Sequence, residues 1–334
     1  SQNQKKNLLS THLKKPNFMI KVIIQIPCKN EEETLPKTFH DLPKHIPGVD
    51  VLEYLIINDG STDRTSAVAR ELGIHHIIEF KANRGLGIAF HHGVMHGLML
   101  GADIIVNTDG DNQYPGNRIP DLIKPILEGR AEVVVGNRRP GSNPHFTPFK
   151  RLLQRIGNHV VSFVAGEKLP DSVSGFRAYS REALYEINVT SRFSYVVDTL
   201  IQVYKKGLAI AWVDIETHAP TRPSRLFRNI WEHIGKTTMN IGRVYMLYEP
   251  LKIFFILSLP SLILGTIGVL RFMHAYFFTN IGREMIQSLF ISGVSITIGI
   301  TLFSLGIIGD LMSKNRTLSE QQLSLLKRQR YPRD

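Results

Sequence analysis

Two long apolar segments in the last third of the chain constrain its architecture more than any other feature. They are residues 251–270, LKIFFILSLPSLILGTIGVL, and residues 285–309, MIQSLFISGVSITIGITLFSLGIIG. An α-helix rises about 1.5 Å per residue, so about 20 residues cross the hydrocarbon core of a bilayer. The second segment carries no charge and the first carries only Lys252, at its edge, which disfavours two buried helices of a soluble core. We predict a two-helix transmembrane hairpin over residues 250–310.

Basic residues flank this hairpin on one side of the membrane. They precede the first segment and follow the second one: Arg222, Arg225, Arg228, Lys236 and Arg243 before, and Lys314, Arg316, Lys327, Arg328, Arg330 and Arg333 after. The connection between the segments carries only Arg271 and Arg283. Because flanking segments rich in Lys and Arg stay in the cytoplasm, we predict a multi-pass membrane protein whose N-terminal part and both termini are cytoplasmic.

The composition of the whole chain narrows the classes of partner. Of its 334 residues, 43% are hydrophobic, enough for a folded core, and 40 Lys and Arg oppose 29 Asp and Glu, a formal charge of +11. Such a charge favours an anionic partner, which can be nucleic acid, acidic lipid headgroups or a phosphorylated substrate. The one cysteine, Cys28, excludes an internal disulfide and a multi-cysteine zinc site. Residues 1–19 are polar, so we expect no export signal there.

The middle of the chain alternates short β-branched segments with helical ones. Five apolar segments indicate strands buried on both faces: residues 20–26, 51–57, 74–80, 102–107 and 131–136. Helical patterns separate them, so we predict an α/β domain with a mostly parallel sheet. Ligands of such sheets bind beyond the carboxyl ends of the strands, where this chain has polar loops. These loops are PCKNEEET, NDGSTD, KANRGLG, TDGDNQ and NRRPGSN, and their mixed charges suit a phosphorylated nucleotide with a divalent cation.

The loop after the fourth predicted strand carries paired carboxylates. Asp109 and Asp111 flank Gly110, and Gln113 adds a third oxygen-bearing side chain at the same spacing. Mg²⁺ and Mn²⁺ prefer oxygen ligands and share their coordination shell with substrate phosphates, so this loop is a candidate site for a cation that holds a diphosphate. Two aspartates around a glycine also occur in ordinary turns, and that alternative stays open here.

The loop after the second predicted strand carries another carboxylate. Asp59 lies just past the apolar segment, where it can accept hydrogen bonds from a ribose or a base, and Gly60 permits the close approach of a backbone. Asp63 lies at the start of a helical pattern, where aspartate is a common capping residue. We expect Asp59 to be functional and Asp63 to be structural.

Six motifs in this chain resemble those of one known family. In order they are IPCKNEE, INDGSTD, NRGLGIAFHHG, TDGDNQYP, GNRR and DSVSGFRAYSREAL. Together they resemble the inverting GT-A glycosyltransferases of family 2. Within that family they resemble the polyisoprenyl-phosphate glycosyltransferases: the dolichol-phosphate mannose synthases and the bacterial enzymes that glucosylate undecaprenyl phosphate. The resemblance implies a Rossmann-like GT-A domain over residues 20–220, juxtamembrane amphipathic helices over residues 221–249 and a basic cytoplasmic tail over residues 311–334.

The resemblance also implies roles for individual residues. The residues implied for nucleotide-sugar binding are Pro27, Cys28, Glu31, Asp59, Arg84 and Asp109, and those implied for Mg²⁺ or Mn²⁺ are Asp109, Asp111 and Gln113. The residues implied for the acceptor phosphate are Arg138, Arg151, Ser174, Arg222 and Arg225. The candidate catalytic residues are Asp109, Asp111, Asp171 and Arg138. Which of Arg138 and Arg139 contacts phosphate stays open.

The implied reaction is attack of a lipid phosphate oxygen on the anomeric carbon of a nucleotide sugar, with inversion and departure of the nucleoside diphosphate. A phosphate monoester is largely ionised at neutral pH because its second pKa is about 6, so a general base is not required. Asp171 therefore either orients the acceptor, deprotonates it or pairs with an arginine. The resemblance implies UDP-glucose as the donor and undecaprenyl phosphate as the acceptor, with GDP-mannose as the alternative donor.

Other classes of function fit the sequence less well. An oxidoreductase on a doubly wound sheet needs G-x-G-x-x-G directly after the first strand, where this chain has PCKNEE. We expect no nucleic-acid partner, because the basic residues cluster beside apolar segments and no nucleic-acid-binding module is recognisable. A catalytically inactive membrane scaffold stays open, although Asp109 and Asp111 are intact. We also expect a homo-oligomer, since small transmembrane hairpins often associate.

Overall fold

The chain folds into two compact units. A computed structural model describes residues 19–141, 148–189, 192, 195–219, 235, 239, 242, 246, 248–279 and 286–333. One unit comprises Ser1–Pro223 with Arg328–Asp334, and the other comprises Ser224–Lys327. The first unit contains a sheet with its helices, and the second contains two long apolar helices.

The described strands of the first unit form one mixed sheet. In chain order they are β1 (Lys21–Cys28), β2 (Val51–Asn58), β3 (His76–Glu79), β4 (Ile104–Asn107), β5 (Val133–Asn137), β6 (Arg177–Ser180) and β7 (Ile210–Asp214). The order across the sheet is β3-β2-β1-β4-β6-β5-β7, and the neighbouring pairs are parallel except those that β6 makes with β4 and β5. The predicted mostly parallel α/β sheet is confirmed, and its first five strands lie within or beside the predicted apolar segments.

Helices connect these strands. Those of the first unit that the structure describes are α1 (Leu35–Asp41), α2 (Thr65–Glu71), α3 (Leu86–Met99), α4 (Ile119–Leu127), α5 (Pro148–Ala165), α6 (Arg181–Glu186) and α7 (Val196–Lys205). The core lies between helices and sheet, where the apolar residues that predicted the strands, such as Ile24, Val106 and Val134, are fully buried. This burial is the main stabilising contribution, at about 25 cal/mol per Å² of apolar surface.

The sequence pattern did not predict β6 or β7. β6 reads RAYS and begins with a charged residue, and most of β7 is only half-buried, so neither shows a continuous apolar run. Because β6 runs antiparallel between β4 and β5, its first residue, Arg177, pairs with Asn107 at the end of β4. The loop before β6 therefore reaches the same edge of the sheet as the loops that follow β4 and β5.

The last residues of the chain belong to the first unit and contact it. The hydroxyl of Tyr185 donates to the carbonyl of Tyr331 at 2.5 Å, and Nε of Arg333 lies 2.9 Å from Oδ1 of Asp103. Arg328 pairs with two glutamates of α6. Basic residues of the predicted cytoplasmic tail thus form specific contacts with the domain.

Two long apolar helices form the second unit. Helix α8 (Pro250–His274) continues into a π-helical turn (Ala275–Thr279), and α9 spans Ile286–Arg330. Their most apolar windows have mean hydropathies of 2.3 and 2.0, and 11% and 17% of these windows is buried. Core helices of a soluble protein would be mostly buried, so these helices have the length, composition and exposure expected of membrane spans. The orientation of the termini stays a prediction.

Small residues lie where α8 and α9 pack together. Ser292, Gly299 and Gly306 of α9 are buried at intervals of 7 residues. A Cβ atom on Gly299 would lie 2.6 Å from Leu262, and one on Gly306 would lie 2.9 Å from Phe254. Small residues let helix backbones approach closely, which is how membrane-spanning helices associate.

Helix α9 continues past the predicted end of the hairpin. Residues 311–330, which were predicted as a tail, contain no Gly or Pro and are helical. Ion pairs between Lys314 and Asp310 at 2.9 Å, and between Arg316 and Glu320 at 2.8 Å, connect positions four residues apart. Residue 310 thus marks a change from apolar to charged composition within one helix.

Candidate active site

The paired aspartates follow β4, whose neighbours in the sheet are β1 and β6. Asp111 accepts two hydrogen bonds from Gln113, one from its backbone N at 3.1 Å and one from Nε2 at 2.7 Å. Asn112 between them has a φ of 56°, a left-handed conformation that asparagine tolerates better than most residues. The local turn thus holds the Asp111 carboxylate in place, and Gln113 acts toward it as a hydrogen-bond donor.

The loop after β1 packs against the same turn. A Cβ atom on Gly110 would lie 2.9 Å from Sγ of Cys28 and 3.3 Å from Cγ of Glu31. The hydroxyl of Thr38 donates to the carbonyl of Gly110 at 3.0 Å. The absence of a side chain at this position therefore lets the two loops meet, and Cys28 and Glu31 lie beside the turn that carries the paired aspartates.

The crowding of carboxylates changes the protonation of this turn. Burial is the largest effect on the pKa of Asp109, and it raises this pKa. The charges of Asp111 and Glu31 raise it as well, and Arg138 lowers it, which leaves the pKa at about 7. Burial, followed by the nearby carboxylates, also raises the pKa of the Cys28 thiol well above its ordinary value. Cys28 is therefore a neutral thiol and not a candidate nucleophile.

The excess of negative charge fits a divalent cation. Asp109 and Asp111 supply carboxylate oxygens, the ligands that Mg²⁺ and Mn²⁺ prefer. Within the described ranges, no group of three or more His, Cys, Asp or Glu side chains forms a potential metal cage. A hard cation held by two carboxylates completes its shell with water and substrate phosphates, so the pair suits a cation bound together with a diphosphate. The ligand set that includes Gln113 stays a prediction.

Asp59 holds the loop that follows β3. Its Oδ1 accepts a hydrogen bond from the backbone N of Arg84 at 2.6 Å, and its Oδ2 accepts one from Gly85 at 3.0 Å. The side chain of Arg84 is exposed, and its guanidinium lies 5.0 Å from the centre of the Phe80 ring. Asp59 thus fixes the loop after β3 at this edge of the sheet. The contacts of Asp59 and Arg84 with a nucleotide sugar stay predictions.

A side chain at Gly60 is expected to destabilise the fold. Gly60 has a φ of +66°, and a Cβ atom on it would lie 2.5 Å from the carbonyl carbon of Ala82 and 2.6 Å from the backbone N of Asn83. We expect Gly60→Ala to lower the free energy of unfolding by about 2–3 kcal/mol, because left-handed strain and a backbone clash add. Urea unfolding of the detergent-solubilised chain measures this loss.

Gly73→Ala is the matched control for that measurement. Gly73 has a φ of +70°, but nothing lies within 4 Å of the Cβ position. Only the strain of the left-handed backbone remains, at about 1 kcal/mol. Equal losses in the two variants would contradict the proposed clash at Gly60.

Arg138 and Asp171 form a buried bidentate ion pair. Nε of Arg138 lies 2.7 Å from Oδ2 of Asp171 and Nη2 lies 2.8 Å from Oδ1, while the backbone N of Val173 donates to Oδ1 at 3.3 Å. Burial raises the pKa of Asp171, but the charge and hydrogen bonds of Arg138 outweigh it and leave that pKa below its ordinary value. Of the roles left open for Asp171, pairing with an arginine is therefore observed. Both of its oxygens accept hydrogen bonds, which makes it a poor proton acceptor.

The two adjacent arginines occupy different environments. Arg138 pairs with Asp171 beside the carboxylate turn; burial lowers its pKa, but the charge of Asp171 and, to a smaller extent, that of Asp109 raise it above its ordinary value. Arg139 is exposed, has a φ of 48°, and its Nη2 lies 2.5 Å from Oδ2 of Asp214 at the end of β7. The structure thus separates the two residues, with Arg138 at the aspartates and Arg139 at a neighbouring cavity.

This cavity has a volume of about 960 Å³, and most of its charged lining residues are basic. Its charged and titratable lining residues are Arg139, Arg151, Arg155, His159, Lys168 and Glu167. One acid among these side chains makes the wall suitable for a phosphorylated ligand. Arg151 was predicted to bind the acceptor phosphate, whereas Arg155, His159 and Lys168 were not singled out because nothing in their local pattern distinguishes them from solvent-exposed charges.

The loop before β6 packs onto the carboxylate turn. A Cβ atom on Gly175 would lie 3.6 Å from each carboxylate oxygen of Asp109, and the backbone N of Gly175 donates to the Tyr114 hydroxyl at 2.9 Å. Ser174 is fully buried, and its hydroxyl has no hydrogen-bond partner among the described residues. Nε of Arg177 donates to the carbonyl of Ser174 at 2.8 Å. The predicted acceptor loop thus reaches the site, while a contact between Ser174 and phosphate stays a prediction.

A buried polar network beneath the turn was not predicted. Asn107 accepts a hydrogen bond from Gln25 at 2.9 Å and donates to the Tyr195 hydroxyl at 2.6 Å and to the carbonyl of Gly175 at 3.1 Å. Such networks hold loops in one arrangement when their members are paired. The available signal was a polar residue within each of two apolar segments, Gln25 in IIQI and Asn107 in IIVN.

The remaining predicted site residues are Pro27, Arg222 and Arg225. Pro27 is buried in β1, opposite Ile57 of β2. Arg222 and Arg225 lie outside the described residues, as does most of the predicted juxtamembrane segment over residues 221–249. The roles predicted for these three residues stay predictions.

Known proteins resemble the chain over the same region. The profile of the family Glycosyl transferase family 2 matches residues 23–187, which extend from within β1 to the end of α6. Polyprenol monophosphomannose synthase of Mycolicibacterium smegmatis is 28% identical over 206 residues, which cover 58% of this chain and 76% of that protein. The UDP-N-acetylglucosamine--dolichyl-phosphate N-acetylglucosaminyltransferase of Methanococcus voltae is 30% identical over 219 residues, which cover 59% of this chain and 85% of that protein.

A solved structure shares the fold. Glucosyl-3-phosphoglycerate synthase from Mycobacterium tuberculosis, crystallised with Mn²⁺, uridine diphosphate and glucosyl-3-phosphoglycerate, matches with a TM-score of 0.54 and 20% identity. The match covers 68% of this chain and 79% of that one. This likeness concerns the fold alone, and it confirms the predicted Rossmann-like GT-A sheet.

Proposed function

The chain belongs to glycosyl transferase family 2, and on that basis we propose that it transfers a sugar, with inversion, from a nucleotide sugar to the phosphate of a polyprenyl lipid. One relative is named a polyprenol monophosphomannose synthase and another a dolichyl-phosphate N-acetylglucosaminyltransferase, so both names contain a phosphorylated polyisoprenoid. The products of the proposed reaction are a polyprenyl-phosphate sugar and a nucleoside diphosphate.

The observation that carries this proposal is an acidic turn beside basic groups at one edge of the sheet. Asp109 and Asp111 offer the ligands for a divalent cation, Mg²⁺ or Mn²⁺, which when bound neutralises charge that develops on the leaving diphosphate. Arg138 and the basic cavity wall offset the repulsion between two phosphorylated substrates. A site with both charges suits a reaction between a diphosphate donor and a phosphate acceptor.

On the acceptor side, the chain orients the nucleophile and takes no proton from it. The acceptor phosphate is largely ionised at neutral pH because its second pKa is about 6. Arg138 binds this phosphate, and Asp171 positions Arg138 through the bidentate ion pair. Gln113 keeps Asp111 oriented toward the donor. Holding the two substrates in line is then the main catalytic contribution.

On the donor side, the loop after β1 and the loop held by Asp59 enclose the nucleoside. Cys28 ends β1 and Glu31 lies in the loop after it, both next to the carboxylate turn, while Asp59 follows β2 and accepts hydrogen bonds from the backbone of Arg84 and Gly85. We propose UDP-glucose as the donor and undecaprenyl phosphate as the acceptor, as the sequence resemblance implies. GDP-mannose is the second candidate, favoured by the name of the Mycolicibacterium smegmatis relative.

The membrane helices fit an acceptor that stays in the bilayer. A polyprenyl chain is apolar, so an enzyme with two spans meets it in the membrane. We propose that the first unit and both termini are cytoplasmic, where nucleotide sugars are available, and that the enzyme is a homo-oligomer. Arg222 and Arg225, close in sequence to the first span, would contribute to binding the lipid phosphate.

Transfer of radiolabelled sugar into lipid tests the proposal. The purified full chain is incubated with undecaprenyl phosphate, Mn²⁺ and labelled UDP-glucose or GDP-mannose, and the label in the organic phase is counted. We expect label from UDP-glucose, and its loss on chelation of the cation or omission of the lipid. Label from GDP-mannose alone would replace the proposed donor, and no transfer from any nucleotide sugar would contradict the proposed activity.

A further inference from the structure

Helix α5 exposes a row of large apolar side chains. Leu152, Ile156, Val160 and Phe163 are 50%, 53%, 37% and 69% exposed. Their spacing places them on one face of a helix with 3.6 residues per turn. These four residues form the outer face of α5.

The opposite side of α5 already packs on the protein. Val161 and Val164 are 1% and 3% exposed, and the helix contacts α7. The outer face is therefore not the side that contributes to the core. A helix with apolar residues on two opposite faces, one of them exposed to solvent, presents the kind of patch that marks an interaction surface.

One exposed cation lies beside the outer face. Arg155 precedes Ile156 and is exposed, and Pro148–Ala165 contains no Asp or Glu. Arg155 and Phe163 also line the basic cavity, so the apolar row and the cavity are continuous. An exposed apolar row beside a cation, on a helix that carries no acid, is the pattern of a helix that lies in the interface of an anionic bilayer.

We propose that the outer face of α5 inserts into the headgroup region of an anionic membrane and docks the first unit on the bilayer. The chain carries two candidate spans, so the bilayer is tethered to this domain at a high effective concentration. Ile156 and Phe163 gain apolar burial on insertion, while Arg155 gains a lipid phosphate as a partner. The docked helix also holds the rim of the basic cavity at the depth of lipid phosphates. Because Arg155 and Phe163 also line the basic cavity, this inference rests on the proposed function, and its test measures position and not turnover.

Depth-dependent fluorescence quenching tests this proposal. Ile156→Cys and Phe163→Cys in the full chain are labelled with an environment-sensitive fluorophore and reconstituted in nanodiscs of neutral and anionic lipid. The single native cysteine, Cys28, is buried, so the unmodified chain is the labelling control. Glu71→Cys on α2 is the positional control, because the Glu71 side chain is 61% exposed and lies on a different helix.

We expect blue-shifted emission at positions 156 and 163, strong quenching by lipids that carry a nitroxide near the headgroup, and weak quenching by aqueous iodide. The label at position 71 is expected to show emission typical of water, weak quenching by the nitroxide lipids and strong quenching by iodide. Iodide quenching at 156 and 163 equal to that at 71 would overturn the proposal. Protection from both quenchers would also overturn it, in favour of a second copy or another segment of this chain as the occupant. Equal nitroxide quenching in discs of purely neutral lipid would overturn the requirement for anionic lipid.

Discussion

Asp109→Asn is expected to reduce sugar transfer by about 10²–10³-fold or more and, in the absence of divalent cation, to raise the melting temperature of the chain. The rate falls because the amide keeps the shape of the side chain but removes a charge that we propose binds the cation. Stability rises because burial and the charge of Asp111 oppose ionisation of Asp109 in the folded state, and an amide is not subject to either effect. The same residue thus contributes to function at a cost in stability.

The stability effect has a defined dependence on pH. The pKa of Asp109 is about 7 in the folded chain, against an ordinary value of 3.8. Between these values the folded state holds a proton that the unfolded chain has released, so the stability of the native protein falls as the pH rises through this window. We therefore expect Asp109→Asn to stabilise the folded chain most above about pH 7 and least near pH 4. Each kcal/mol gained in the free energy of unfolding is expected to raise the melting temperature by about 2–4 °C.

Calorimetry of the chelator-treated chain at both ends of this window measures the effect, and the radiolabel assay measures the rate. Asp121→Asn is the matched control, because Asp121 lies on α4 in an exposed ion pair with Arg118 at 2.9 Å and has no part in the proposed site. It is expected to leave the rate and the melting temperature close to those of the native chain. An Asp109→Asn chain that transfers sugar normally, or that melts below the native chain without cation, would show that the acidic turn is misassigned.

Arg138→Ala is expected to destabilise the first unit by about 3–5 kcal/mol and to abolish transfer. The side chain of Asp171 is 0% exposed, and its closest cation is the Arg138 guanidinium at 2.7 Å. Removal of that cation leaves a buried carboxylate without charge compensation, which costs far more than the loss of an exposed pair. Arg139→Ala is the stability control, since the pair of Arg139 with Asp214 is exposed and its loss is expected to change unfolding little.

A double replacement separates stability from function at this pair. Arg138→Gln combined with Asp171→Asn replaces the ion pair by two neutral amides, and it is expected to recover most of the lost stability while transfer stays low. Asp171→Asn alone keeps the guanidinium at the site, so we expect a loss of about 10-fold in kcat and an unchanged shape of the pH-rate profile. A loss of about 10⁴-fold with a missing ascending limb would instead identify Asp171 as the general base.

Much of the fold of the first unit can be predicted from local sequence patterns. The apolar segments of β1, β2, β4 and β5 predict buried parallel strands, because such strands are covered on both faces. Parallel strands end at one edge, so the loops with Asp59, Asp109 and Arg138 were expected to meet there. The six family motifs then suggested the chemistry of that edge, and the family match over residues 23–187 agrees with them.

The contacts between these loops could not be read from the same patterns. The ion pair of Arg138 with Asp171 joins residues 33 positions apart. It depends on a short antiparallel strand, RAYS, which has no apolar run from which a strand could be predicted. The glycine at position 60 predicted the close approach of a backbone, but only the structure shows that this backbone belongs to Ala82 and Asn83. Both cases depend on the distance between segments that are remote in sequence.

The order of apolar and polar residues determined which segments are strands, membrane helices and loops, because the period and length of burial are local properties of a chain. It also placed Asp109 and Asp111 at the end of a central strand, where we propose that a cation and a diphosphate bind. Only the tertiary structure decided that Asp171 is already paired, that Arg138 and Arg139 occupy different environments, and that the outer face of α5 is left exposed. Those outcomes arise from how helices and strands pack, and a side chain's partner is fixed only when its neighbours in space are in place.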